Sequence, residues 1–279
     1  DDIGGLIEFA KASDVALAVI GPEAPLVAGI VDQFQAAGIR CFGPNQAAAQ
    51  LEGSKAFTKD FLARHEIPTA DYRTFSDLDE ALAFIHREGA PLVVKANGLA
   101  AGKGVVIAHT VEEANDAARA MLSEGAFGTA GSQIVVERFL VGEEASFIAL
   151  VDGKNILPLA TSQDHKARDD GDRGPNTGGM GAYSPAPVVD GRMHRTIMER
   201  IIEPTVAGLA ADGIDYQGFL YAGVMIDADG NPYVLEYNCR LGDPETQPIL
   251  MRLQSDLLEL LDATIDRRLN EILAQWDPR

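Results

Sequence analysis

The sequence predicts a mixed α/β and α+β fold, and three patterns support that prediction. Residues 1–44 alternate between helical and strand-like stretches, which is typical of a parallel α/β layer. Residues 92–108 place a glycine-rich loop between two short apolar runs of β-forming residues. The pair Asp229-Gly230 separates two longer β-prone runs, which favours an antiparallel hairpin whose turn type stays open.

Length, composition and charge limit the kinds of protein that this chain can be. Its 279 residues, 46% of them hydrophobic, suffice for one large or two ordinary domains with buried cores. The formal net charge of −19 argues against sequence-independent binding to nucleic acid or an anionic membrane, so local positive groups must hold any anionic ligand. The most apolar segment, 15–31, is interrupted by Pro22 and Pro25, which excludes a membrane-spanning helix.

Cysteine usage favours a reducing compartment. Cys41 and Cys239 are far apart in sequence and fit no CxxC pattern, so neither a disulfide framework nor a cysteine metal site is indicated. No signal peptide precedes the first apolar segment. We therefore expect a cytoplasmic protein.

The N-terminal stretch offers a first candidate binding turn. The expected elements are a helix at 3–11, a strand at 15–20, a helix at 26–37 and a strand at 39–42. The turn of Gly21, Pro22 and Glu23 follows the carboxyl end of a strand, where open α/β sheets bind ligands, although a helix begun by prolines explains it equally well. The chain starts at Asp1 and opens on a helix, so we expect a fragment that lacks at least an upstream strand.

The glycine-rich loop has the residues of a phosphate cradle. Gly98, Gly102 and Gly104 lack a Cβ, which lets backbone N–H groups approach an anion closely, and Lys95 and Lys103 supply ammonium charges. The alternative is an ordinary hairpin loop with a solvated lysine. A Walker A loop is excluded because a glycine follows Lys103 where a hydroxyl is required, and a dinucleotide fingerprint because the loop leads into a strand.

A helix over 55–65 places a second lysine in a notable position. Ser54 is a suitable N-cap, and Lys55 then lies in the first helical turn. The helix dipole disfavours a cation there unless an anion is nearby, although a solvated surface lysine is the alternative.

Two further helices bracket the glycine loop. Ser76 with Asp79 and Thr110 with Glu113 match the capping-box pattern. Together with the two apolar runs, these helices predict a compact α+β lobe over 71–140.

Residues 161–185 show neither helical nor strand periodicity and are expected to be irregular. A long irregular stretch inside a compact domain is usually either a functional loop or a disordered one, and both alternatives stay open. The glycines within 178–181 favour close backbone approach to a ligand, and His165 with Lys166 could contact an anion.

The second strand of the hairpin carries a candidate metal site. Strict alternation predicts that Val234, Glu236 and Asn238 share one face, while Tyr233, Leu235 and Tyr237 share an opposite, buried face. A carboxylate and an amide oxygen are hard donors suited to Mg²⁺, and Arg240 adds a fork for phosphate or carboxylate. A solvated outer strand is the alternative. Beyond it, 248–273 is expected to be one amphipathic helical run that packs on the core.

Taken in order, these motifs resemble the ATP-grasp superfamily and, more narrowly, the glycinamide ribonucleotide synthetase (phosphoribosylamine-glycine ligase) family. The resemblance covers essentially the whole chain and lies in GPEAPLVAG, GSKAFTKDF, KANGLAAGKG, ERFLVGEEASF, TSQDHK, GPNTGGMGAYSP and EYNCRLGDPETQP. It implies an ATP-grasp fold with a partial N-terminal Rossmann-like layer. The implied divisions are the partial layer at 1–44, an ATP-grasp domain at 45–247 with its lid lobe at 71–140, and the helical start of a C-terminal region at 248–279.

The resemblance also implies an activity. Family members are ATP-dependent ligases of purine biosynthesis that use Mg²⁺ or Mn²⁺ and join glycine to 5-phosphoribosylamine through a glycyl phosphate, giving glycinamide ribonucleotide, ADP and phosphate. The expected partners are therefore small molecules, with no nucleic acid and no membrane. A non-catalytic ATP-binding fragment and another ATP-grasp carboxylate-amine ligase are the alternatives.

The family motifs assign roles to individual positions. ATP would be bound by Lys55, Lys95, Gly98, Gly102, Lys103, Gly104, Glu137, Phe139 and Glu144. The metal would be held by Glu236 and Asn238. The substrates would be bound by Gly21, Pro22, Glu23, Asp164, Gly178, Gly179, Met180, Gly181 and Arg240, with Arg240 and Lys95 as the catalytic residues.

Three departures from the family pattern accompany this assignment. Many ATP-grasp enzymes carry another acidic metal ligand about a dozen residues before the Glu-x-Asn pair, where this chain has Gly223 and Val224. Phosphates and water are then expected to complete the metal shell. Family members also begin with a glycine-rich βα unit and continue past the region of Asp277 into another domain.

Overall fold

A computed structural model describes residues 2–100, 104–124, 126–171 and 173–279 of the chain. Its helices are α1 (Ile3–Ala12), α2 (Glu23–Val27), α3 (Ile30–Ala36), α4 (Gln50–Gly53), α5 (Lys55–Arg64), α6 (Leu78–Glu88), α7 (Val111–Leu122), α8 (Gly191–Ile197), α9 (Glu203–Ala211), α10 (Thr246–Arg252) and α11 (Leu257–Ile265). Its strands are β1 (Ala18–Val19), β2 (Cys41–Phe42), β3 (Tyr72–Phe75), β4 (Leu92–Ala96), β5 (Val105–Ala108), β6 (Ile134–Arg138), β7 (Glu143–Asp152), β8 (Ile156–Pro158), β9 (Gln163–Asp169), β10 (Arg173–Tyr183), β11 (Gln217–Ile226) and β12 (Pro232–Asn238). A π-helical turn at Met198–Ile202 joins α8 to α9, and 3₁₀ turns cover Gly128–Gly131 and Leu269–Glu271.

The described strands form one parallel pair and three antiparallel sheets. β1 pairs with β2 in parallel. The two four-stranded sheets have the orders β3-β6-β4-β5 and β12-β11-β7-β8, and β9 pairs with β10. The expected mix of α/β and α+β structure is therefore confirmed.

The N-terminal layer has the expected alternation, but its strands are shorter and one helix is divided. The prediction of a single helix over 26–37 is wrong, because α2 ends at Val27 and α3 begins at Ile30. Gly29 between them has a φ of +81°, a left-handed conformation that glycine adopts without strain and that interrupts a helix.

The sheet β3-β6-β4-β5, with α6 and α7 packed against it, occupies the stretch predicted as an α+β lobe. The capping box of Thr110 and Glu113 at the start of α7 is confirmed. The one predicted at Ser76 is wrong, because Asp77 caps α6 and its carboxylate accepts the N–H of Glu80 at 3.0 Å. An aspartate one residue later serves equally well as a cap, so local spacing alone could not separate the two.

β7 and β11 lie at the centre of the other four-stranded sheet and are buried on both faces. Ala145, Phe147 and Ala149 of β7 pack into a core shared with α5, α8 and α9. Ile148 and Leu150 face the opposite side, where α11 covers the sheet. This rigid central sheet carries β12 along its edge.

β12 contains a bulge that changes which of its side chains share a face. Its register against β11 passes from Gly223 opposite Glu236 to Val224 opposite Val234, which leaves Leu235 as an extra residue. The predictions that Val234 shares a face with Glu236 and that Leu235 shares one with Tyr237 are therefore wrong. The core receives Val234 and Tyr237, whereas Leu235, Glu236 and Asn238 line a cavity on the other side.

Residues 161–185 contain the hairpin of β9 and β10, so the prediction of an irregular stretch is wrong for most of it. Asp164 lies opposite Ala182, and His165 lies opposite Gly181. Two register shifts interrupt the pairing. Frequent glycines and these shifts remove the side-chain alternation by which a strand is recognised from sequence.

The helical run expected over 248–273 is also divided. α10 ends at Arg252 and α11 begins at Leu257, and both contribute to the core beneath β7 and β11. Among the residues that the structure describes, no helix has both the length and the apolar character needed to cross a bilayer.

Candidate functional site

A cavity of about 590 Å³ lies between the two four-stranded sheets and collects most of the predicted site residues. Those that line it are Gly21, Glu23, Lys55, Lys95, Gly104, Glu137, Phe139, Glu144, Asp164, Glu236, Asn238 and Arg240. Lys95 and the pair Glu236 and Asn238, which are distant in sequence, thus face one space.

Other predicted positions are not part of this lining. Among the described residues these are Pro22, Gly98, Gly179, Met180 and Gly181. Gly178 lies in β10. Gly102 and Lys103 fall outside the described residues. Gly98 donates its N–H to the carbonyl of Ala130 at 3.2 Å, and its own carbonyl accepts the Lys55 ammonium at 3.1 Å. The backbone of Gly98 is therefore engaged within the protein, and the side chain of Met180 is 58% exposed to solvent.

Two lysines share one buried carboxylate at the inner end of the cavity. Lys95 Nζ lies 2.5 Å from Glu137 Oε1, and Lys59 pairs with the second oxygen of Glu137. Burial alone would raise the pKa of Glu137, but the two ammonium groups outweigh it and hold the pKa below its ordinary value. Lys95 also donates to the carbonyl of Leu235 at 3.1 Å, which connects β4 to the bulge in β12.

Lys55 is held at the start of α5 by the loop that follows β4. Ser54 caps the helix as expected, accepting the N–H of Phe57. The side-chain oxygen of Asn97 accepts from the hydroxyl of Ser54 at 3.0 Å and from the N–H of Ala56 at 2.8 Å. Burial lowers the pKa of the Lys55 ammonium. The start of α5 is therefore joined to Asn97 and Gly98, which follow β4, beside the cavity.

A single lysine lies among three carboxylates at the other end of the cavity. Lys166 Nζ is 3.5 Å from Glu144 Oε2, 3.7 Å from Glu236 Oε1 and 3.9 Å from Asp164 Oδ2. Burial would lower the pKa of Lys166, but these carboxylates raise it well above its ordinary value. Lys166 therefore stays charged.

The carboxylates of this group differ in their ionisation. Burial raises the pKa of Asp164 to about 6, with only partial compensation from Lys166. Burial also opposes ionisation of Glu236, but Lys166 and Lys95 outweigh it and hold the pKa of Glu236 below its ordinary value. At neutral pH Glu236 is thus a carboxylate, the form that binds a cation.

Arg240 is fixed between two acidic side chains. Its Nε lies 3.1 Å from Glu23 Oε2, and its Nη2 lies 3.0 Å from Glu52 Oε1. Further donations go to the carbonyl of Leu241 at 3.1 Å and to Asn238 Oδ1 at 3.4 Å. Burial raises the pKa of Glu52 to about 7, although Arg240 lowers it.

A buried hydroxyl and carboxylate group closes the cavity floor. The phenol of Tyr221 donates to Glu245 Oε1 at 2.5 Å, and Ser146 Oγ donates to the same oxygen at 3.0 Å. Burial and the neighbouring carboxylate raise the pKa of Tyr221 well above its ordinary value, so the phenol stays protonated.

Several lining residues were not expected from the sequence, namely Glu52, Lys59, Lys166 as the centre of its group, Tyr221 and Glu245. A signal exists for Lys59, which lies four residues after Lys55 and so on the same face of α5. Glu52, Tyr221 and Glu245 come from three separate elements, and no periodicity links them.

The donor set beside Arg240 is suited to a hard cation. Glu236 supplies an ionised carboxylate and Asn238 an amide oxygen, and both line the cavity. Mg²⁺ is commonly bound by one or two such protein oxygens, with phosphate oxygens and water completing its shell. Among the described residues no group of three or more His, Cys, Asp or Glu side chains forms a metal site by itself. Glu236 and Asn238 therefore fit a cation that also binds a phosphorylated ligand.

Comparison with known proteins identifies relatives along the whole chain. Residues 1–52 match the phosphoribosylglycinamide synthetase N domain, and residues 53–246 match the phosphoribosylglycinamide synthetase ATP-grasp (A) domain. The phosphoribosylamine-glycine ligase of Allochromatium vinosum is 66% identical over 279 residues, which are 100% of this chain and 65% of that protein. The chain thus spans about 65% of the length of the curated relatives that it matches.

Solved structures agree with the fold. The phosphoribosylamine-glycine ligase of Thermotoga maritima has a TM-score of 0.76 at 37% identity, covering 82% of this chain and 57% of that one. The biotin carboxylase domain of 2-oxoglutarate carboxylase from Hydrogenobacter thermophilus, solved with MgADP, ADP and bicarbonate, has a TM-score of 0.73 at 19% identity and covers 95% of this chain and 56% of that one. The expected ATP-grasp fold is confirmed, and the chain belongs to the phosphoribosylglycinamide synthetase family.

Proposed function

We propose that the chain provides the ATP-dependent ligase site that joins glycine to 5-phosphoribosylamine, giving glycinamide ribonucleotide, ADP and phosphate in purine biosynthesis. The observation that carries the proposal is the convergence of Lys95 with Glu236 and Asn238 on one cavity, joined by the contact between Lys95 and the carbonyl of Leu235. A site that binds nucleotide phosphates and their cation needs both cationic groups and oxygen donors around one cavity.

ATP is the proposed occupant of the end nearest β4 and β6. Lys55 and Lys95 supply charge for its phosphates, and Gly98, Gly102, Lys103 and Gly104 are the residues proposed to bind these phosphates from the glycine-rich loop. The adenine is read through the stretch of chain that carries Glu137 and Phe139, at the end of β6, and Glu144 bonds the ribose hydroxyls. The Hydrogenobacter thermophilus neighbour, which has the same fold, was solved with MgADP. Support for this orientation comes from the position of Lys55, Lys95, Glu137, Phe139 and Glu144 along one cavity.

Glu236 and Asn238 are the proposed ligands of Mg²⁺, or of Mn²⁺ in its place. When bound, such an ion supplies neutralisation of phosphate charge. The chain's own contribution is to keep Glu236 ionised and to hold Asn238 beside Arg240, whose Nη2 donates to Asn238 Oδ1. Gly223 lies directly opposite Glu236 and leaves room for phosphate and water where other ATP-grasp enzymes carry an acidic side chain.

Glycine and phosphoribosylamine are the proposed occupants of the end lined by Asp164 and Arg240, with 178–181 and Gly21, Pro22 and Glu23 at its edges. The glycine carboxylate attacks the terminal phosphoryl group of ATP, and the amine then displaces phosphate from the glycyl phosphate. These steps require chiefly positioning and charge neutralisation, which Lys95 and Arg240 provide. A reactive acyl phosphate also needs protection from water, which is the purpose proposed for the glycine-rich loops beside the cavity.

The proposal includes the setting of the protein. We propose that the substrates are small molecules, with neither nucleic acid nor membrane as partner, and that the protein is cytoplasmic. We also propose that the chain consists of three parts, 1–44, 45–247 and 248–279. The net charge of −19 and two buried unpaired cysteines support this view.

The decisive experiment measures ADP release with each substrate omitted in turn. The proposed ligase releases ADP only when glycine and 5-phosphoribosylamine are both present. ADP release at the same rate without glycine contradicts the assignment. Replacement of glycine by other carboxylic acids separates it from a different ATP-grasp ligase, and ATP binding without turnover identifies a non-catalytic module.

A further inference from the structure

Glu52 is a buried acidic residue with two well-defined partners. Its side chain is only 7% exposed, and a buried carboxylate is costly unless it is paired and hydrogen-bonded. Glu52 Oε1 lies 3.0 Å from Arg240 Nη2, and Glu52 Oε2 accepts the backbone N–H of Cys239 at 2.8 Å. One carboxylate thus binds two consecutive residues that directly follow β12.

The position of Glu52 in the chain connects this contact to another part of the site. Glu52 lies in α4, which ends at Gly53, and Ser54 then caps α5 with Lys55 in its first turn. Residues that hold Arg240 and residues that carry Lys55 therefore belong to one short segment. Thr58 strengthens the segment, because its hydroxyl donates to the carbonyl of Leu51 at 2.6 Å.

The second carboxylate on Arg240 is held less firmly. Glu23 contacts Arg240 Nε from a side chain that is 31% exposed, whereas Glu52 contacts both the guanidinium and the backbone beside it. An arginine has five N–H donors in a fixed plane, so a partner anchored to the backbone decides where that plane lies.

We propose that Glu52 is a positioning residue for Arg240. Through the guanidinium and the Cys239 amide it fixes Arg240 relative to Glu236 and Asn238 at the end of β12. This inference rests on the proposed function, in which Arg240 acts on the transferred phosphoryl group and the substrates. In this inference Glu52, which also lines the cavity, acts on them by holding Arg240 in place.

The test begins with Glu52→Gln, which retains an acceptor for the Cys239 N–H and removes the charge that faces Arg240. We expect kcat for ADP release to fall by about tenfold or more, as for other residues that orient site groups. The KM for ATP should stay within about twofold, because Glu52→Gln leaves Lys59 and Lys95 with their own partner, Glu137. The matched control Glu88→Gln alters an exposed ion pair with Arg87 and should leave both constants unchanged. A rise in the KM for ATP with kcat unchanged contradicts the proposed role.

A second variant separates charge from fold. Glu52→Asp keeps the carboxylate on a shorter stem and should recover part of the lost kcat. If Glu52→Asp folds but is no more active than Glu52→Gln, the charge on residue 52 does not position Arg240 and the inference is overturned.

A double-mutant cycle gives the sharpest readout. Once Arg240→Ala has removed the guanidinium, adding Glu52→Gln should cause little further loss of kcat, because the two residues act as one unit. If the factor by which the double variant lowers kcat equals the product of the factors of the two single variants, the inference is overturned. If the parent enzyme shows no glycine-dependent ADP release, the proposed function itself is overturned. If the parent enzyme is active but the two substitutions lower kcat independently, only the role of Glu52 is overturned.

Discussion

The two ends of the cavity use the same kinds of residue in opposite proportions. We call the lysine end the group of Lys55, Lys59 and Lys95 around Glu137, and the carboxylate end the group of Glu144, Asp164 and Glu236 around Lys166. Cations are in excess at the first end and anions at the second. The cavity therefore contains regions of opposite charge, although the whole chain carries a charge of −19.

This polarity matches a ligand whose own charge changes sign along its length. At the lysine end, burial removes solvent from Lys55 and Lys59 and lowers their pKa values. Poorly solvated cations attract phosphate oxygens more strongly than exposed ones. At the carboxylate end, excess negative charge suits a metal ion or a substrate ammonium group. Magnesium-bound ATP with an amino acid beyond it has this sequence of charges.

The largest expected effect comes from breaking the lysine end with Lys95→Met. The variant removes the cation that joins Glu137 to the β12 bulge, so we expect kcat/KM for ADP release to fall by about 100-fold or more. Steady-state kinetics measure the loss, and Lys154→Met on the exposed turn after β7 is the matched control. Activity within a few-fold of the parent would show that the lysine end does not bind the transferred phosphates.

Breaking the carboxylate end with Glu236→Gln should act on the metal. Loss of one ionised oxygen donor is expected to raise the Mg²⁺ concentration for half-maximal activity by about 10–100-fold. Titration of ADP release with Mg²⁺ at fixed ATP measures this shift. The control is Glu143→Gln, which changes an exposed glutamate at the start of β7. An unchanged Mg²⁺ dependence would remove Glu236 from the metal site.

Lys166→Met leaves the three carboxylates of the carboxylate end without their cation. Lys166 lowers the pKa of Asp164, which burial raises to about 6. Without the ammonium the pKa of Asp164 rises further, so the acid limb of the kcat/KM profile should move to higher pH by about one unit or more. A profile measured from pH 5 to 8 tests this direction. A shift to lower pH would contradict the assigned contacts.

The smallest effect is expected at a surface cluster of similar composition. Arg40 lies between Asp262 and Asp266 at 3.0 and 2.8 Å, but its side chain is 37% exposed. Because water screens such pairs, Arg40→Met should lower the free energy of unfolding by about 1 kcal/mol or less and leave ADP release unchanged. Urea unfolding monitored by circular dichroism measures this value. A loss of several kcal/mol would indicate that exposure is a poor guide to the strength of these charge groups.

Local patterns predicted local features well. The Ser54 and Thr110 caps are present because each depends on residues within one helical turn. The parallel pairing of β1 with β2 and the hairpin around Asp229-Gly230 also follow from local alternation.

Local sequence patterns did not predict features that depend on residues far apart in the chain. The role of Lys59 depends on Glu137, from a strand far along the chain, and Glu52 depends on Arg240. The hairpin at 161–185 lacks a side-chain period because of its glycines and register shifts. Resemblance to a family supplied most of the candidate site, because it encodes three-dimensional proximity that spacing within one sequence does not.

One extra residue in β12 has a mechanical consequence. The bulge at Leu235 brings its carbonyl to the ammonium of Lys95, which belongs to the facing sheet. Separation of the two sheets must break this contact, so the number of residues in one strand helps to set how readily the cleft opens. Shortening β12 by one residue would realign its side chains and remove this contact between the two sheets at the same time.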